Sequence, residues 1–195
     1  MSPELDALLH ELEAFGADND RQHTERAHRM LNITRDTGEL LQVLVLGSNA
    51  KRILEIGTSN GYSTLWLAEA ARQTGGHVTT LEYNPDKITL STRNFARAGL
   101  AKHITQKLTD AGDYLQKADT ESVALIFLDS ERSEYLGWWP DLRRVLARGG
   151  TLVVDNATSH AEQLVDFFAT IREDADFTTA LVPIGNGEFI AVRAR

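Results

Sequence analysis

Acidic and amide side chains follow two apolar segments that each have the character of a buried strand. Asp129 follows residues 122–128, and the pair Asp155 and Asn156 follows residues 151–154. Strands that are buried on both faces read as nearly continuous apolar runs. Ligands of open α/β sheets bind beyond the carboxyl ends of such strands. We therefore expect these three side chains to converge at one edge of a sheet.

Two carboxylates and one amide oxygen are hard ligands, which favour Mg²⁺, Ca²⁺ or Mn²⁺ over zinc. Asp129, Asp155 and Asn156 are therefore a candidate metal site, with Mg²⁺ as the first choice. The alternative is that Asp155 and Asn156 only begin the next turn, where both residue types are common.

A glycine-rich turn provides a second candidate site. Residues 52–56 form a short apolar strand, and residues 62–72 have the apolar spacing of a helix. Glycine lets a ligand approach the backbone closely, and the free N–H groups of a helix start suit an anionic group. The spacing E-x-G-x-x-x-G, from Glu55 to Gly61, differs from the dinucleotide-binding G-x-G-x-x-G and disfavours a nicotinamide oxidoreductase. An ordinary turn in another α/β protein is the alternative.

Glu82 ends the next predicted strand, residues 77–82. It lies roughly 20 residues beyond the glycine turn, the separation at which an acidic residue usually contacts a ribose. A carboxylate suits this task because it can accept hydrogen bonds from both ribose hydroxyls. A surface glutamate after a strand is the alternative interpretation.

The turn that follows Glu55 resembles the first motif of class I S-adenosylmethionine-dependent methyltransferases, in which the loop wraps the methionine end of the cofactor. Four segments together resemble the small cation-dependent O-methyltransferases, which include the catechol and caffeoyl-CoA enzymes. These segments are Ile53–Ala68, Thr80–Glu82, Phe127–Tyr135 and Gly149–Asn156. The strongest of them is the Leu-Val-Val-Asp-Asn run after a Gly-Gly turn. The resemblance extends from about Asn32 to the C-terminus.

The resemblance implies roles for residues at the matching positions. Asp129, Asp155 and Asn156 would bind the metal. The residues that would hold S-adenosylmethionine are Glu55, Gly57, Thr58, Gly61, Ser63, Glu82, Asp110 and Asp129.

Two residues are candidates for a catalytic role. The family pattern Asp-Ala-Asp-Lys is replaced here by Asp-Ser-Glu-Arg, so Arg132 stands where the family has a lysine thought to help deprotonate the acceptor. Arginine stays protonated and is a poor base, although its charge can stabilise a phenolate. His160 is an alternative base with a suitable ordinary pKa. A surface histidine at a helix start is the other interpretation of His160.

The alternation of strand and helix patterns predicts the elements that position these residues. We expect helices over residues 3–15, 18–31 and 36–47, then five βα units and a terminal hairpin around residues 185–187. The predicted fold is α/β, with a Rossmann-like, seven-stranded and mostly parallel sheet. It has an antiparallel C-terminal hairpin strand, helices on both faces and an N-terminal helical extension. We expect a single methyltransferase domain over residues 1–195, with N-terminal helices in 1–50 and the cofactor-binding core in 51–195.

Composition limits the other possibilities. The chain of 195 residues has a net charge of -8 and no cysteine, which excludes disulfides and thiolate chemistry. The acidic balance disfavours a broad nucleic-acid interface. No signal-peptide pattern and no membrane-spanning apolar run is present, so we expect a cytoplasmic protein.

These features predict methyl transfer from S-adenosylmethionine to a hydroxyl of a small phenolic or catechol-like acceptor, assisted by a divalent cation. The alternatives are methylation of a hydroxylated tRNA nucleoside and cofactor binding without transfer. We expect a small-molecule acceptor, no membrane partner and a homodimer, and a nucleic-acid partner is disfavoured. Tyr135, Trp138 and Trp139 either line an acceptor pocket or belong to the core.

Overall fold

A computed structural model describes all 195 residues of the chain. Seven strands form one sheet in the order β3-β2-β1-β4-β5-β7-β6. The strands are β1 (Arg52–Ile56), β2 (His77–Glu82), β3 (Ile104–Leu108), β4 (Val123–Leu128), β5 (Leu146–Val154), β6 (Phe177–Val182) and β7 (Glu188–Arg193). The α-helices are α1 (Pro3–Gln22), α2 (Arg35–Ser48), α3 (Tyr62–Thr74), α4 (Pro85–Arg97), α5 (Ala111–Lys117), α6 (Tyr135–Val145) and α7 (Ala161–Glu173).

Strands β1 to β5 pair in parallel, while β7 pairs antiparallel with both β5 and β6. The predicted sheet and its antiparallel hairpin strand are therefore confirmed. The strand order reverses between β1 and β4, because the chain leaves β1 towards β2 on one side and returns to β4 on the other. Such a reversal leaves a crevice at the carboxyl ends of the two strands, where α/β proteins bind ligands.

Strands β1, β4 and β5 continue their hydrogen bonding for one residue beyond their ends. The Gly57 N–H donates to the carbonyl of Leu81 at 3.0 Å, and the Asp129 N–H donates to the carbonyl of Ile56 at 3.0 Å. The Asp155 N–H donates in the same way to the last residue of β4, also at 3.0 Å. These contacts place the residues that follow β1, β4 and β5 in one row at the edge of the sheet.

The sheet separates two apolar clusters, and successive residues of a strand alternate between them. Ile53 packs with helices α1 to α4, whereas Leu54 packs with helices α5 to α7. At the end of β4, Phe127 packs in the same cluster as Ile53, and Leu128 packs in the same cluster as Leu54. Both faces of the central strands are therefore buried, which explains their nearly continuous apolar sequences.

The N-terminal region differs from the prediction. Helix α1 continues through Gly16 to Gln22, and the helix expected over residues 18–31 is wrong. Residues 23–34, here called the crossing segment, are irregular apart from one 3₁₀ turn at Arg26–His28. Gly16 lies within α1 and does not end it. The absence of a side chain at Gly16 leaves room for Asn32 where the crossing segment passes over α1.

The crossing segment is tied to α1 by polar side chains. Asn32 donates from Nδ2 to the carbonyl of Leu12 at 2.9 Å. The carboxylate of Asp20 accepts from the backbone N–H groups of Met30 at 2.6 Å and Leu31 at 2.9 Å. Hydrogen bonds from side chains can satisfy backbone N–H and C=O groups that lie outside helices and strands. Here they stabilise an irregular segment where a helix was expected. None of the helices combines the length and the apolar character that a membrane span requires.

Substituting Gly57 by alanine tests the close contact between β1 and β4. Gly57 has φ of 107°, and a Cβ there would overlap the carbonyl oxygen of Asp129. Gly47 in α2 is the matched control, since a Cβ there meets nothing within 4 Å. We expect Gly57→Ala to lower the free energy of unfolding by at least about 2 kcal/mol, and Gly47→Ala to raise it by about 0.5–1 kcal/mol.

Urea unfolding of the two variants beside the wild type measures both changes. Equal stability of Gly57→Ala and the wild type would contradict the contact.

Candidate active site

A cleft with a volume of about 380 Å³ lies at the carboxyl edge of the sheet, where the strand order reverses between β1 and β4. Its walls come from the glycine turn after β1, the ends of β2 and β4, the start of α5 and the crossing segment. Six of the eight residues predicted to hold the cofactor line this cleft, namely Gly57, Thr58, Ser63, Glu82, Asp110 and Asp129. The other two, Glu55 and Gly61, do not line it.

The two predicted glycines shape the turn in different ways. Gly57 has a positive φ and lies against the backbone of Asp129, so it brings the turn close to the end of β4. Gly61 has φ of 87° and begins α3, and a side chain there would collide with the ring of Phe95. Glycine adopts such conformations without steric cost. Gly57 therefore forms the floor of the cleft, and Gly61 packs against α4.

Glu55 lies beneath the turn and is fully buried. Its carboxylate accepts hydrogen bonds from the hydroxyls of Ser63 at 2.5 Å, Thr80 at 2.6 Å, and Thr64. Burial raises the pKa of Glu55 to about 7, and the three hydroxyls partly oppose that rise. The side chain thus connects β1, β2 and the first turn of α3, and it supports the turn without reaching the cleft.

The carboxylate of Glu82 is fixed by backbone N–H groups. One oxygen, Oε1, accepts from Tyr83 and Asn84 at 3.0 Å each, and Oε2 accepts from Ser59 of the glycine turn at 2.9 Å. Glu82 is almost buried but lines the cleft. The bonds hold a carboxylate between the end of β2 and the turn, where a ligand's hydroxyls can reach its remaining lone pairs.

Asp129, Asp155 and Asn156 come together as the sequence predicted. The Nδ2 group of Asn156 donates to Asp155 at 2.7 Å and to Asp129 at 3.3 Å. Asn156 has φ of 64°, a left-handed conformation that asparagine tolerates and that turns its side chain back towards β4. The Oδ1 atom of Asp155 is buried without a hydrogen-bond partner.

The two acids are strongly affected by their environment. Burial raises the pKa of Asp129 well above its usual range, and the neighbouring Asp155 charge adds to that rise. Burial also raises the pKa of Asp155. Two carboxylates in one buried position repel each other unless a proton or a cation offsets their charge. No group of three His, Cys, Asp or Glu side chains is arranged to hold a metal ion by itself.

Glu188 is a third buried acid at this position, and the sequence analysis missed it. Its Oε1 atom accepts from the Thr37 hydroxyl at 2.9 Å, and the protonated carboxyl of Glu188 can donate to Asp155. Burial, followed by the charge of Asp155, raises the pKa of Glu188 to about 10. Only the antiparallel pairing of β7 with β5 brings this residue to the site, so no local motif marks it.

The two predicted catalytic residues lie beside the acids and outside the walls of the cleft. Arg132 belongs to a one-turn 3₁₀ helix and is 8% exposed. Its Nε–H donates to Oε1 of Gln163 at 2.7 Å. His160 caps the start of α7, and its Nδ1 atom shares a 2.9 Å hydrogen bond with the Ser159 hydroxyl. Partial burial, followed by the charge of Arg132, lowers the pKa of His160.

The aromatic residues after β4 divide between the cleft and the core. Trp138 lines the cleft near Asp110, which caps α5 by accepting from the Asp113 N–H at 3.0 Å. Tyr135 and Trp139 are buried and pack against rings of the core instead. Only one of the three therefore lines the cleft.

Several cleft residues escaped the sequence analysis. The crossing segment contributes Arg26, whose Nη2 donates to the carbonyl of Ser130 at 2.8 Å, and Met30. These residues were missed because a helix was expected there. Tyr83, which is 72% exposed, and Lys87 also line the cleft. Their nearness in sequence to Glu82 is the signal that could have identified them.

Comparison with known proteins identifies a family. A family model described as O-methyltransferase matches residues 1–194. A catechol O-methyltransferase of Niastella koreensis is 35% identical over 127 residues, which are 64% of this chain and 57% of that protein. A Mycobacterium avium protein, provisionally named an O-methyltransferase, is 32% identical over 174 residues, which are 83% of this chain and 78% of that protein.

A solved structure shares the fold. The structure of a Bacillus cereus O-methyltransferase in complex with SAH superposes with a TM-score of 0.79 at 23% identity, covering 96% of this chain and 90% of that one. The chain matches less than two thirds of the length of the Niastella koreensis relative.

Replacing Glu55 by glutamine tests the buried support of the turn. The pKa of Glu55 is about 7 in the folded chain against 4.5 for an ordinary glutamate, so the folded state favours the protonated form. That contribution to stability is complete below pH 4.5 and disappears as the pH rises to 7. Between these pH values we expect the wild type to lose up to about 3 kcal/mol more unfolding free energy than Glu55→Gln.

Unfolding midpoints in urea, measured across this pH range for both proteins, give the difference. The contributions of the other buried acids largely cancel because both proteins contain them, and the Glu55 charge is only the third-largest cause of the raised pKa of Asp129. Parallel pH profiles of the two proteins would contradict the assigned protonation of Glu55.

Proposed function

The chain belongs to the O-methyltransferase family, and from this premise we propose that it methylates a hydroxyl of a small phenolic or catechol-like acceptor with the help of a divalent cation. The observation that carries the proposal is the position of the Asp129, Asp155 and Asn156 cluster directly beside the cleft. Asp129 belongs to both, so a ligand in the cleft and an oxygen bound at the cluster would be neighbours.

The cleft suits S-adenosylmethionine by its chemistry. The fixed carboxylate of Glu82 would accept from the ribose hydroxyls, and Ser63 and the backbone of the glycine turn would hold the methionine end. Tyr83 and Trp138 offer aromatic surfaces for the adenine, and Asp110 lies at the same end of the cleft. The cofactor supplies an electrophilic methyl group on a sulfonium, so the protein mainly positions the reactants.

The acid cluster fits a hard divalent cation. The charges of Asp129 and Asp155 repel each other where no cation lies between them, and the nearby carboxyl of Glu188 adds to the negative charge when it ionises. Rotation of the Asn156 amide would exchange its NH₂ group for its oxygen and complete a set of three oxygen donors. A bound cation would lower the pKa of an acceptor hydroxyl and orient it.

The chain's own side chains then account for the remaining steps. The acceptor oxygen loses its proton, forms a bond to the methyl carbon, and the bond from that carbon to sulfur breaks, leaving S-adenosylhomocysteine. Arg132 stays protonated, so its charge stabilises the oxygen anion instead of removing the proton. His160 has a lowered pKa and is neutral near pH 7, so it can accept the proton. Alignment of oxygen, methyl and sulfur by the walls of the cleft provides most of the acceleration.

Incubation with labelled S-adenosylmethionine, Mg²⁺ and a panel of catechols and simple phenols tests the reaction. We expect label in at least one vicinal diol, and we expect EDTA to abolish transfer. Methyl transfer at the full rate in EDTA would show that the reaction does not need a divalent cation. Tight cofactor binding without transfer to any panel member would point to a different class of acceptor.

Two substitutions separate the cofactor site from the cation site. Asp155→Asn removes one charged ligand of the cation, so we expect Mn²⁺ affinity to fall at least about tenfold while the affinity for S-adenosylhomocysteine is unchanged. Glu82→Gln replaces the ribose acceptor, so we expect cofactor affinity to fall about tenfold or more while Mn²⁺ affinity is unchanged.

Calorimetric titration of each variant with both ligands measures the four affinities. Each variant is the control for the other. A loss of affinity for both Mn²⁺ and S-adenosylhomocysteine in either variant would show that the two sites are not separate.

A further inference from the structure

A hydrogen bond connects the wall of the cleft to the N-terminal helix. Tyr62, the first residue of α3, lines the cleft and is almost completely buried. Its hydroxyl donates to Oε1 of Glu13 in α1 at 2.5 Å. Burial, and then the hydrogen bond to Glu13, raise the pKa of Tyr62, so the hydroxyl stays protonated and remains the donor. A buried hydroxyl that lost this acceptor would cost about 1–3 kcal/mol, so the bond fixes the Tyr62 side chain.

The backbone of Tyr62 is bonded to the glycine turn. Its N–H donates to Oδ1 of Asn60 at 3.1 Å, and Asn60 lines the cleft. Ser63 follows Tyr62 directly, also lines the cleft, and donates from its hydroxyl to Glu55 at 2.5 Å. The position of Tyr62 therefore affects cleft residues on both sides of it in the chain.

Arg35 holds the carboxylate of Glu13 in place. Its Nε–H donates to the same Oε1 atom at 3.0 Å, and its Nη1 group donates to Oδ1 of Asp6 at 3.0 Å. The guanidinium carbon of Arg35 also lies 5.5 Å from the centre of the Trp66 ring, within the range of a cation–π contact. Arg35 is the first residue of α2, so the carboxylate that accepts from Tyr62 is held by two helices.

We propose that Glu13 is a positioning residue, which holds Tyr62 and the glycine turn in the arrangement that binds the methionine end of the cofactor. This inference rests on the proposed function, because it requires S-adenosylmethionine in the cleft with its methionine end at Ser63 and the turn. Glu13 does not line the cleft and acts only through Tyr62. In the proposed arrangement the ribose and adenine lie at Glu82 and Trp138, which belong to other elements. Loss of Glu13 therefore weakens the binding of one end of the cofactor and spares the other.

Two ligands distinguish the two ends of the cofactor. S-adenosylhomocysteine contains the amino-acid part, whereas 5′-methylthioadenosine contains the same adenine, ribose and sulfur without it. We expect Glu13→Leu to weaken the binding of S-adenosylhomocysteine about three- to tenfold, a loss comparable with the net contribution of one hydrogen bond. The affinity for methylthioadenosine should be unchanged. Equilibrium dialysis with each ligand in labelled form measures both affinities.

Three further variants attribute the effect to the hydrogen bond. Tyr62→Phe removes only the hydroxyl and should cause the same loss of S-adenosylhomocysteine affinity as Glu13→Leu. The double variant should bind no more weakly than either single variant, because both substitutions remove the same bond. Glu13→Gln keeps an oxygen acceptor for the Tyr62 hydroxyl and should restore most of the affinity.

Glu11→Leu is the matched control. Glu11 lies two residues earlier in α1, and its carboxylate accepts from Arg97 of α4 at 2.8 and 2.6 Å. It therefore connects the same helix to the core, but it does not bond to Tyr62 or line the cleft. We expect this variant to bind both ligands as the wild type does.

The outcomes separate this inference from the proposed function. If the wild type does not bind S-adenosylhomocysteine, the proposed cofactor site is wrong and the inference is wrong with it. If the wild type binds it and Glu13→Leu binds it equally well, only the role of Glu13 is wrong. An equal loss of both ligands in Glu13→Leu, or the same loss in Glu11→Leu, would also overturn the inference, because α1 would then only stabilise the fold.

Discussion

The site depends on the hydrogen bonds that continue past the ends of the parallel strands. Gly57 donates to the carbonyl of Leu81 in β2, and Asp129 and Asp155 donate to the last carbonyls of β1 and β4, so the three residues stand in one row. The row forms only because Gly57 has no side chain to separate the turn from Asp129. This close contact holds the glycine turn of the cleft against Asp129, which belongs to both the cleft and the acid cluster.

The acid cluster concentrates negative charge where water has little access. Asp155 and Glu188 are buried and Asp129 is partly buried at the cleft, and the loss of contact with water raises the pKa of all three. The fold tolerates this arrangement because the neighbouring strands are held by a continuous apolar core on both faces. Unfavourable local electrostatics that the rest of the fold stabilises is typical of functional sites.

The crossing segment adds a wall that the α/β core does not provide. Ser59 of the glycine turn donates to the carbonyl of Met30 at 2.6 Å, and Arg26 reaches the backbone of Ser130. The segment therefore connects the two sides of the cleft, and α1 holds it through Asp20 and Asn32. In this way the N-terminal region takes part in the site as well as in the core.

The sequence alone determined the sheet, its antiparallel hairpin and most of the cleft. Apolar runs, turn glycines and acids at strand ends are local signals, and parallel pairing converts them into a shared edge for Glu82, Asp129 and Asp155. The tertiary structure decided the features that depend on contacts between distant segments. It placed Glu55 beneath the turn, brought Glu188 to Asp155 through antiparallel pairing, and replaced a polar helix by the crossing segment. Burial and pairing across the fold, which no local pattern encodes, determined these positions.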